Sequence, residues 1–267
     1  MKEIVLITGA SSGIGKMTAE YLSDKGYIVY GTARNPKEIS EKFTLLPMDV
    51  REEKSIQNAV NQIIEKEKRI DILINNAGVG ISGAMEEIPM EEIQNVFQTN
   101  FFGAINVMKL VLPTMRNQRK GLIINVTSIA GYMGLPFRGA YSASKGALEL
   151  ITEAMRMEVK SFGVDMVCIA PGDFATDIAS RRYHTPVYEN SPYKEAYQKS
   201  LKLMNADVNS GQNPTLMAEK IFRIIKINNR KIHYKQASFL QKFSIVLKRI
   251  LPDKMYEKLL MNHYQLN

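Results

Sequence analysis

A tyrosine and a lysine four positions apart are the residues most suited to chemistry. Tyr141 and Lys145 lie in the segment YSASK, and Ser128 precedes Tyr141 by 13 residues. Residues at i and i+4 share one helix face. A free phenol has a pKa of about 10, and a neighbouring ammonium favours its phenolate form. Such a pair can pass a proton to or from a substrate oxygen, while a serine hydroxyl stabilises the negative charge that develops on that oxygen.

A glycine-rich segment near the N-terminus indicates a phosphate-binding turn. The stretch TGASSGIG follows the apolar run Ile4–Ile7 and opens a helical pattern, with its glycines in the spacing G-x3-G-x-G. Glycines allow a tight turn and close approach of a pyrophosphate, and a helix N-terminus offers unpaired amides. On a strand–turn–helix this predicts a dinucleotide site. The candidate ligands are Gly9, Ser11, Ser12, Gly13, Ile14 and Gly15.

The end of the second apolar run bears on which dinucleotide is bound. An NAD(H) site uses a carboxylate there for the ribose 2′-hydroxyl, whereas a 2′-phosphate needs a cation. The stretch Tyr30–Asn35 contains no acid and carries Arg34. A guanidinium can bind a phosphate with two hydrogen bonds. We therefore expect NADP(H) rather than NAD(H), with a surface cation as the alternative role for Arg34.

The elements that position these residues alternate between strand-like and helical patterns. Short apolar runs alternating with longer helical segments indicate βαβ units and a parallel sheet covered on both faces. The predicted fold is a doubly wound, Rossmann-like α/β sandwich of three layers in one domain. Predicted strands are Ile4–Ile7, Tyr27–Tyr30, Phe43–Met48, Ile70–Ile74, Leu122–Val126 and Val164–Ala170; predicted helices are Ile14–Lys25, Glu52–Glu67, Met90–Arg116, Ala140–Phe162 and Pro214–Asn228.

Several motifs in this order resemble the short-chain dehydrogenase/reductase family in its short, single-domain form. They are TGASSGIG, Asp49-Val50, NNAG at 75–78, Asn100, Ser128, YSASK and Pro171-Gly172, and they cover about residues 1–230. The resemblance implies a hydride transfer between a nicotinamide cofactor and an alcohol or ketone. It also implies pairing through the helices that carry Asn100 and Tyr141, and hence a homodimer or homotetramer. The long C-terminal segment is similar to that of hydroxysteroid and retinol dehydrogenase relatives.

The resemblance assigns further roles residue by residue. Asn100, Ser128, Tyr141 and Lys145 are the implied catalytic set, in which Asn100 holds a water of the proton relay and Lys145 also binds the nicotinamide ribose. Ser128 and Tyr141 contact the substrate. Implied cofactor contacts are Asp49 and Val50 at the adenine, Asn76, Ala77 and Gly78 at the adenosine ribose, and Pro171, Gly172, Phe174 and Thr176 near the nicotinamide; many relatives have a smaller residue where Phe174 stands.

Composition excludes several other classes of protein. Apolar residues make up 45% and charged residues 23% of the 267 residues, as in ordinary globular chains rather than disordered ones. The N-terminus enters a strand-like run at once, so we expect no signal peptide and a cytoplasmic location. The single cysteine, Cys168, rules out an intrachain disulfide. Histidines at 184, 233 and 263 lack metal-ligand spacing, and we expect no metal.

The C-terminal third carries the net positive charge of +8. Residues 181–267 hold 16 Lys+Arg against 6 Asp+Glu, whereas residues 1–180 hold 19 against 21. We expect a solvated basic face and no nucleic acid partner. A segment at 178–213 breaks the strand–helix rhythm and predicts a cover over the site. The extension at 237–267 predicts an amphipathic helix interrupted at Pro252, which packs on the protein or, alternatively, lies on an anionic membrane.

The substrate is expected to be a lipophilic or bulky small molecule. The segments Gly80–Ala84, Gly131–Phe137 and 178–205 offer an apolar and aromatic set suited to such a ligand. Two other functions stay open: a 3-oxoacyl carrier-protein reductase and a catalytically silent NADP(H)-binding sensor. The residues of the apolar set are Ile81, Tyr132, Met133, Leu135, Phe137, Ile178 and Tyr183.

Overall fold

A seven-stranded parallel sheet forms the centre of the molecule in the computed structural model. The structure describes residues 2–36, 40–175, 182–209 and 211–266. The strands lie in the order β3-β2-β1-β4-β6-β7-β9, with every neighbouring pair parallel. They are β1 Ile4–Ile7, β2 Ile28–Ala33, β3 Thr44–Pro47, β4 Ile72–Asn75, β6 Gly121–Val126, β7 Val164–Pro171 and β9 His233–Gln236; β5 Ile81–Ser82 and β8 Tyr183–His184 form a separate two-stranded sheet.

Helices pack on both faces of the sheet, as alternation along the strands requires. In β1, Val5 and Ile7 face one apolar core with helices α1 and α7, while Ile4 and Leu6 face the other with α2 and α4. This confirms the predicted three-layer, doubly wound fold. The helices are α1 Gly13–Asp24, α2 Glu53–Glu67, α3 Met90–Phe97, α4 Gly103–Gln118, α5 Gly139–Val159, α6 Lys194–Asn209, α7 Thr215–Lys226, α8 Phe239–Ile250 and α9 Asp253–His263.

The predicted helix Met90–Arg116 is interrupted in the structure. Between α3 and α4 the chain makes a π-helical turn over Gln98–Phe102, and Asn100 lies within it. A π-turn adds one residue to the helical repeat and re-aims the side chains it contains. Spacing of apolar residues does not reveal such a turn, because the helix axis continues through it.

The C-terminal part contains elements that apolar patterning did not predict. The strand β9 is short and only half-buried, so it lacks the continuous apolar run of the inner strands. The predicted break at Pro252 is confirmed, since α8 ends at Ile250 and α9 begins at Asp253. The predicted cover at 178–213 includes β8 and α6. Within the described ranges, no helix combines the length and the apolar character needed to cross a bilayer.

Candidate active site

A cleft of about 290 Å³ opens where four central strands end. Gly9 follows β1, Arg34 follows β2, Asn76 follows β4 and Thr127 follows β6, and all four line it. Open α/β sheets bind ligands at this edge, beyond the carboxyl ends of the strands.

Two glycines, Gly9 and Gly15, allow the tight turn between β1 and α1. Gly9 has a φ of 68°, in the left-handed region that favours glycine. A Cβ placed on Gly15 would lie 2.2 Å from the carbonyl oxygen of Gly9 and 2.5 Å from Nδ2 of Asn76. The loop therefore folds back onto the first turn of α1, whose N-terminal amides face the cleft. This is a cradle shaped for a pyrophosphate, and the residues present fit a dinucleotide.

A clasp between β1 and β4 holds that loop. The Thr8 hydroxyl oxygen accepts hydrogen bonds from the amides of Asn76 and Ala77, at 3.0 and 2.9 Å. The Asn76 side chain donates in return to the carbonyl oxygens of Thr8 and Gly9, both at 3.0 Å. The Asn76 side chain is thus engaged in positioning the glycine loop.

Two arginines lie at the end of the cleft that β2 and β3 border. Arg34 and Arg51 both line it, together with Asp49. Arg51 donates three hydrogen bonds to the two carboxylate oxygens of Asp49, the shortest being 2.7 Å from Nη2 to Oδ2. These hydrogen bonds lower the pKa of the Asp49 carboxyl, with a smaller contribution from Arg34. Sequence reasoning missed Arg51, although its place directly after Asp49-Val50 was the available signal.

Tyr141 and Lys145 lie on the buried face of α5 and both line the cleft. The Lys145 ammonium donates to the carbonyl oxygen of Val126 at 3.0 Å, and the residue as a whole is only 4% exposed. Burial lowers the pKa of Lys145 to about 8, and the nearby carboxylate of Glu149 opposes part of that shift. The guanidinium of Arg138 lies 5.3 Å from the centre of the Tyr141 ring.

Ser128 is held at the end of β6 by a short helical turn. It caps the 3₁₀ turn Ile129–Tyr132, and its Oγ accepts from the amide of Ala130 at 3.2 Å. Ser128 lines a second cavity rather than the cleft. Tyr141 is common to the walls of both.

Asn100 is fully buried beneath the cleft wall. Its Oδ1 accepts from the amide of Val79 at 2.8 Å, and its Nδ2 donates to the Val79 carbonyl oxygen and to Ser144 Oγ. A Cβ on Gly78 would lie 3.2 Å from Asn100 Oδ1 and 3.3 Å from Lys145 Nζ. Gly78 therefore lets the asparagine and the lysine approach the same point.

A carboxylate–imidazole cluster lies one helical turn beyond Lys145. Glu149, 5% exposed, accepts from Thr127 Oγ1 at 2.5 Å, and its Oε2 lies 2.7 Å from His233 Nδ1. His233 Nε2 in turn lies 3.0 Å from Glu153 Oε1. The hydrogen bond to Glu149 raises the pKa of His233 despite partial burial. Cys168 lies within 4.8 Å of this pair, and burial raises the pKa of its thiol.

The second cavity, of about 600 Å³, extends from Ser128 and Tyr141 to the C-terminal helices. Its wall near Tyr141 is polar and includes Arg138, Asp173 and Arg182. Most of the remaining lining is apolar, although α6, α8 and α9 also contribute Asp207, Gln241, Ser244 and His263. The apolar side chains are Met133, Leu135, Phe174, Val208, Leu240, Phe243, Leu247, Leu259 and Leu260.

The structure brings most of the predicted residues to these two spaces. Gly172 and Phe174 line the second cavity, where Phe174 is 3% exposed and part of the core. Of the predicted substrate set, Ile81, Met133 and Leu135 line it. Thr176 and Ile178 lie outside the described residues. Lining the cleft are Gly9, Ser11, Ser12, Gly13, Ile14, Gly15, Arg34, Asp49, Val50, Asn76, Ala77, Gly78, Tyr141, Lys145 and Pro171.

Comparison with known proteins gives consistent matches. Residues 3–186 match the family model described as short chain dehydrogenase. The chain is 42% identical over 263 residues to 3-ketodihydrosphingosine reductase of Bacteroides thetaiotaomicron, covering 98% of each chain. It is 32% identical over 242 residues to retinol dehydrogenase 8 of Bos taurus, covering 83% of this chain and 77% of that one. A short-chain dehydrogenase structure from Streptomyces avermitilis superposes with a TM-score of 0.84 at 25% identity, covering 99% and 96%.

Proposed function

The chain belongs to the short-chain dehydrogenase family, and from that premise we propose that it is an NADP(H)-dependent oxidoreductase that interconverts a ketone and an alcohol in a lipophilic substrate. One observation carries the proposal. Tyr141 forms part of the wall of the cleft and of the wall of the largely apolar cavity. Its hydroxyl can therefore serve a cofactor on one side and a substrate on the other.

The proposed mechanism assigns one task to each polar side chain. Ser128 donates to the carbonyl oxygen and holds it beside Tyr141. Tyr141 gives its proton to that oxygen during reduction and takes it back during oxidation. Lys145, protonated below its pKa of about 8, favours the phenolate that this transfer leaves behind. When bound, the reduced nicotinamide supplies the hydride.

Asn100 acts in this scheme from beneath the cleft. Its position beside Lys145 under Gly78 fits the water-holding role in the proton relay that the family resemblance implies. The hydrogen bonds of its side chain to Val79 also tie the π-helical turn to the segment that follows β4. We infer that Asn100 both orders the relay and positions the cleft wall.

The preference for NADP(H) is proposed from charge at the adenosine end. Arg34 and Arg51 border the cleft there, and Arg51 partly neutralises the carboxylate of Asp49. A 2′-phosphate bears negative charge that two guanidinium groups can bind. In Arg34→Ala, we expect KM for NADPH to rise at least about tenfold, with little change for NADH. Equal effects on the two cofactors would refute the assignment.

The substrate class is proposed from the cavity and from the relatives. Most of its lining is apolar, and its volume of about 600 Å³ suits a long or bulky hydrocarbon group. The two relatives named above are a ketodihydrosphingosine reductase and a retinol dehydrogenase, both named for lipids. We propose a lipid ketone whose carbonyl lies at Ser128 and whose chain extends toward α8 and α9.

The test of the function is Tyr141→Phe. With NADPH and a panel of lipid, steroid, acyl-ester and simple ketones, the wild-type protein is expected to consume part of the panel. The variant is expected to lose at least about 10²-fold in kcat, the scale of general acid catalysis, while binding NADPH as before. A nucleotide sensor would bind NADPH and consume no ketone, and a carrier-protein reductase would reduce only the acyl-esters.

A further inference from the structure

The outward face of α8 is far more apolar than a solvated helix requires. Phe239, Phe243, Val246 and Ile250, here called the α8 strip, are 75, 45, 44 and 72% exposed. Their spacing of four, three and four residues places them on one side of the helix. The rings of Phe239 and Phe243 stack in parallel with centres 6.0 Å apart. In α8 only Ile245 is buried, so the helix gives the protein core little of its apolar surface.

Basic side chains accompany the strip. Lys242 and Arg249 are exposed and lie seven residues apart along one edge of it. On α9 the exposed Lys254 and Lys258 are balanced by the exposed Asp253 and Glu257, so the positive charge comes from α8. Two more apolar side chains of α9, Met255 and Leu259, are 56 and 46% exposed. An exposed apolar stripe bordered by lysine and arginine is the pattern of helices that lie in a lipid interface.

The strip is continuous with the wall of the substrate cavity. Leu240 is 76% exposed and Phe243 is 45% exposed, yet both also line the cavity. Leu259 has the same double position on α9. These side chains therefore form the rim at which the cavity meets the outer surface, next to the α8 strip.

We propose that the α8 strip docks on the surface of an anionic lipid bilayer and that the cavity exchanges its substrate with that bilayer across the α8–α9 rim. Charge argues for a bilayer rather than a second copy of the chain. A two-fold contact through the strip would bring Lys242 and Arg249 of two copies together, whereas an anionic surface attracts them. The docking does not depend on the proposed function, whereas the exchange of substrate rests on the proposed function.

Vesicle flotation tests the docking. The full chain is mixed with vesicles of phosphatidylcholine alone or with added phosphatidylglycerol, at low and high salt. We expect flotation with the anionic vesicles and its loss at high salt. Phe239→Ser/Ile250→Ser should reduce the partition coefficient at least about tenfold, since two large apolar side chains no longer enter the lipid. Lys242→Gln/Arg249→Gln should weaken binding to the anionic vesicles by a similar factor.

Matched controls separate docking from general effects of substitution. Met85 and Met90 are 51 and 65% exposed on another part of the surface, so Met85→Ser/Met90→Ser should float like the wild type. Lys54→Gln/Lys160→Gln removes two exposed charges elsewhere and should also float. A wild-type protein that stays with the soluble fraction overturns the docking. Equal flotation of the strip variant and its control variant also overturns the docking. The same holds if the strip variant floats like the wild type and differs only in forming a smaller assembly in sedimentation velocity.

Turnover tests the exchange of substrate. Neither Phe239 nor Ile250 lines the cavity, so the strip variant should keep its kcat/KM for a short, water-soluble ketone and lose at least about tenfold for a long-chain ketone embedded in anionic vesicles. An equal loss on both ketones overturns the exchange. Flotation without turnover of any ketone contradicts the proposed function and supports the docking, whereas turnover without flotation contradicts the docking alone.

Discussion

Replacing Lys145 with methionine should abolish turnover and yet raise stability near neutral pH. Lys145 is 4% exposed, and burial lowers the pKa of its ammonium from 10.5 to about 8. At 1.36 kcal/mol per pH unit, holding this charge in the folded protein costs ~3 kcal/mol below pH 8. Lys145→Met removes that cost and keeps an unbranched apolar stem, at the expense of the hydrogen bond to Val126, worth about 1 kcal/mol.

The pH dependence of the effect identifies its cause. Between pH 8 and 10.5 the unfolded chain binds more protons at this site than the folded protein, so wild-type stability should rise with pH relative to the variant. The advantage of Lys145→Met should therefore be greatest at or below pH 7 and shrink by ~2 kcal/mol by pH 9.5.

Urea denaturation without nucleotide measures this difference between the two proteins. The matched substitution Lys54→Met on α2 removes an exposed lysine and reports what loss of a solvated charge does. A Lys145→Met variant that differs from the wild type by the same free energy of unfolding at pH 7 and pH 9.5 would refute the reasoning. It would show that Lys145 is solvated or fully compensated by Glu149 in the folded protein.

Two further substitutions test the cleft and the cluster below it. In Gly15→Ala the new Cβ would lie 2.2 Å from the Gly9 carbonyl oxygen, so the variant should lose about 1–3 kcal/mol of stability and bind NADPH more weakly in a fluorescence titration. Gly134→Ala is the control, because nothing lies within 4 Å of its Cβ, and it should change neither property. Equal effects of the two substitutions would contradict the close packing of the glycine loop. His233→Gln should lower the free energy of unfolding by ~1–2 kcal/mol at pH 6 and by less at pH 9, because the contribution of a raised histidine pKa is full below its unfolded pKa of about 6.5 and is lost as pH rises through the folded value. Thermal unfolding across that pH range measures it, and a loss that grows with pH would be the wrong sign.

Most of the fold could be predicted from local patterns of apolar residues along the sequence. Continuous apolar runs such as Ile4–Ile7 and Leu122–Val126 predict inner parallel strands, and the structure confirms this. The strand β9 is half-buried and contains His233, Lys235 and Gln236, so it has no apolar run to detect. It pairs with β7 because the main chain of that strand still needs partners on its open side.

The candidate site likewise contains residues that local sequence patterns predict and residues that only the fold brings together. The TGASSGIG loop, Tyr141 and Lys145 are short-range patterns, and the structure brings them to one cleft; their catalytic and binding roles stay predictions. The contact between Glu149 and His233 joins residues 84 positions apart, and nothing in the local pattern of either indicates the other. Arg182 was missed for the same reason, since its burial near Tyr141 depends on the packing of several loops.

The walls of the cavity combine residues around the central sheet with residues of the helices that follow its last strand. Ser128 and Tyr141 follow or face the central strands, whereas Leu240, Phe243 and Leu259 belong to helices added after the last strand. Exchanging α8 and α9 for another helical pair is therefore expected to change which molecules fit the cavity while leaving Tyr141 and Lys145, which lie on α5, in place.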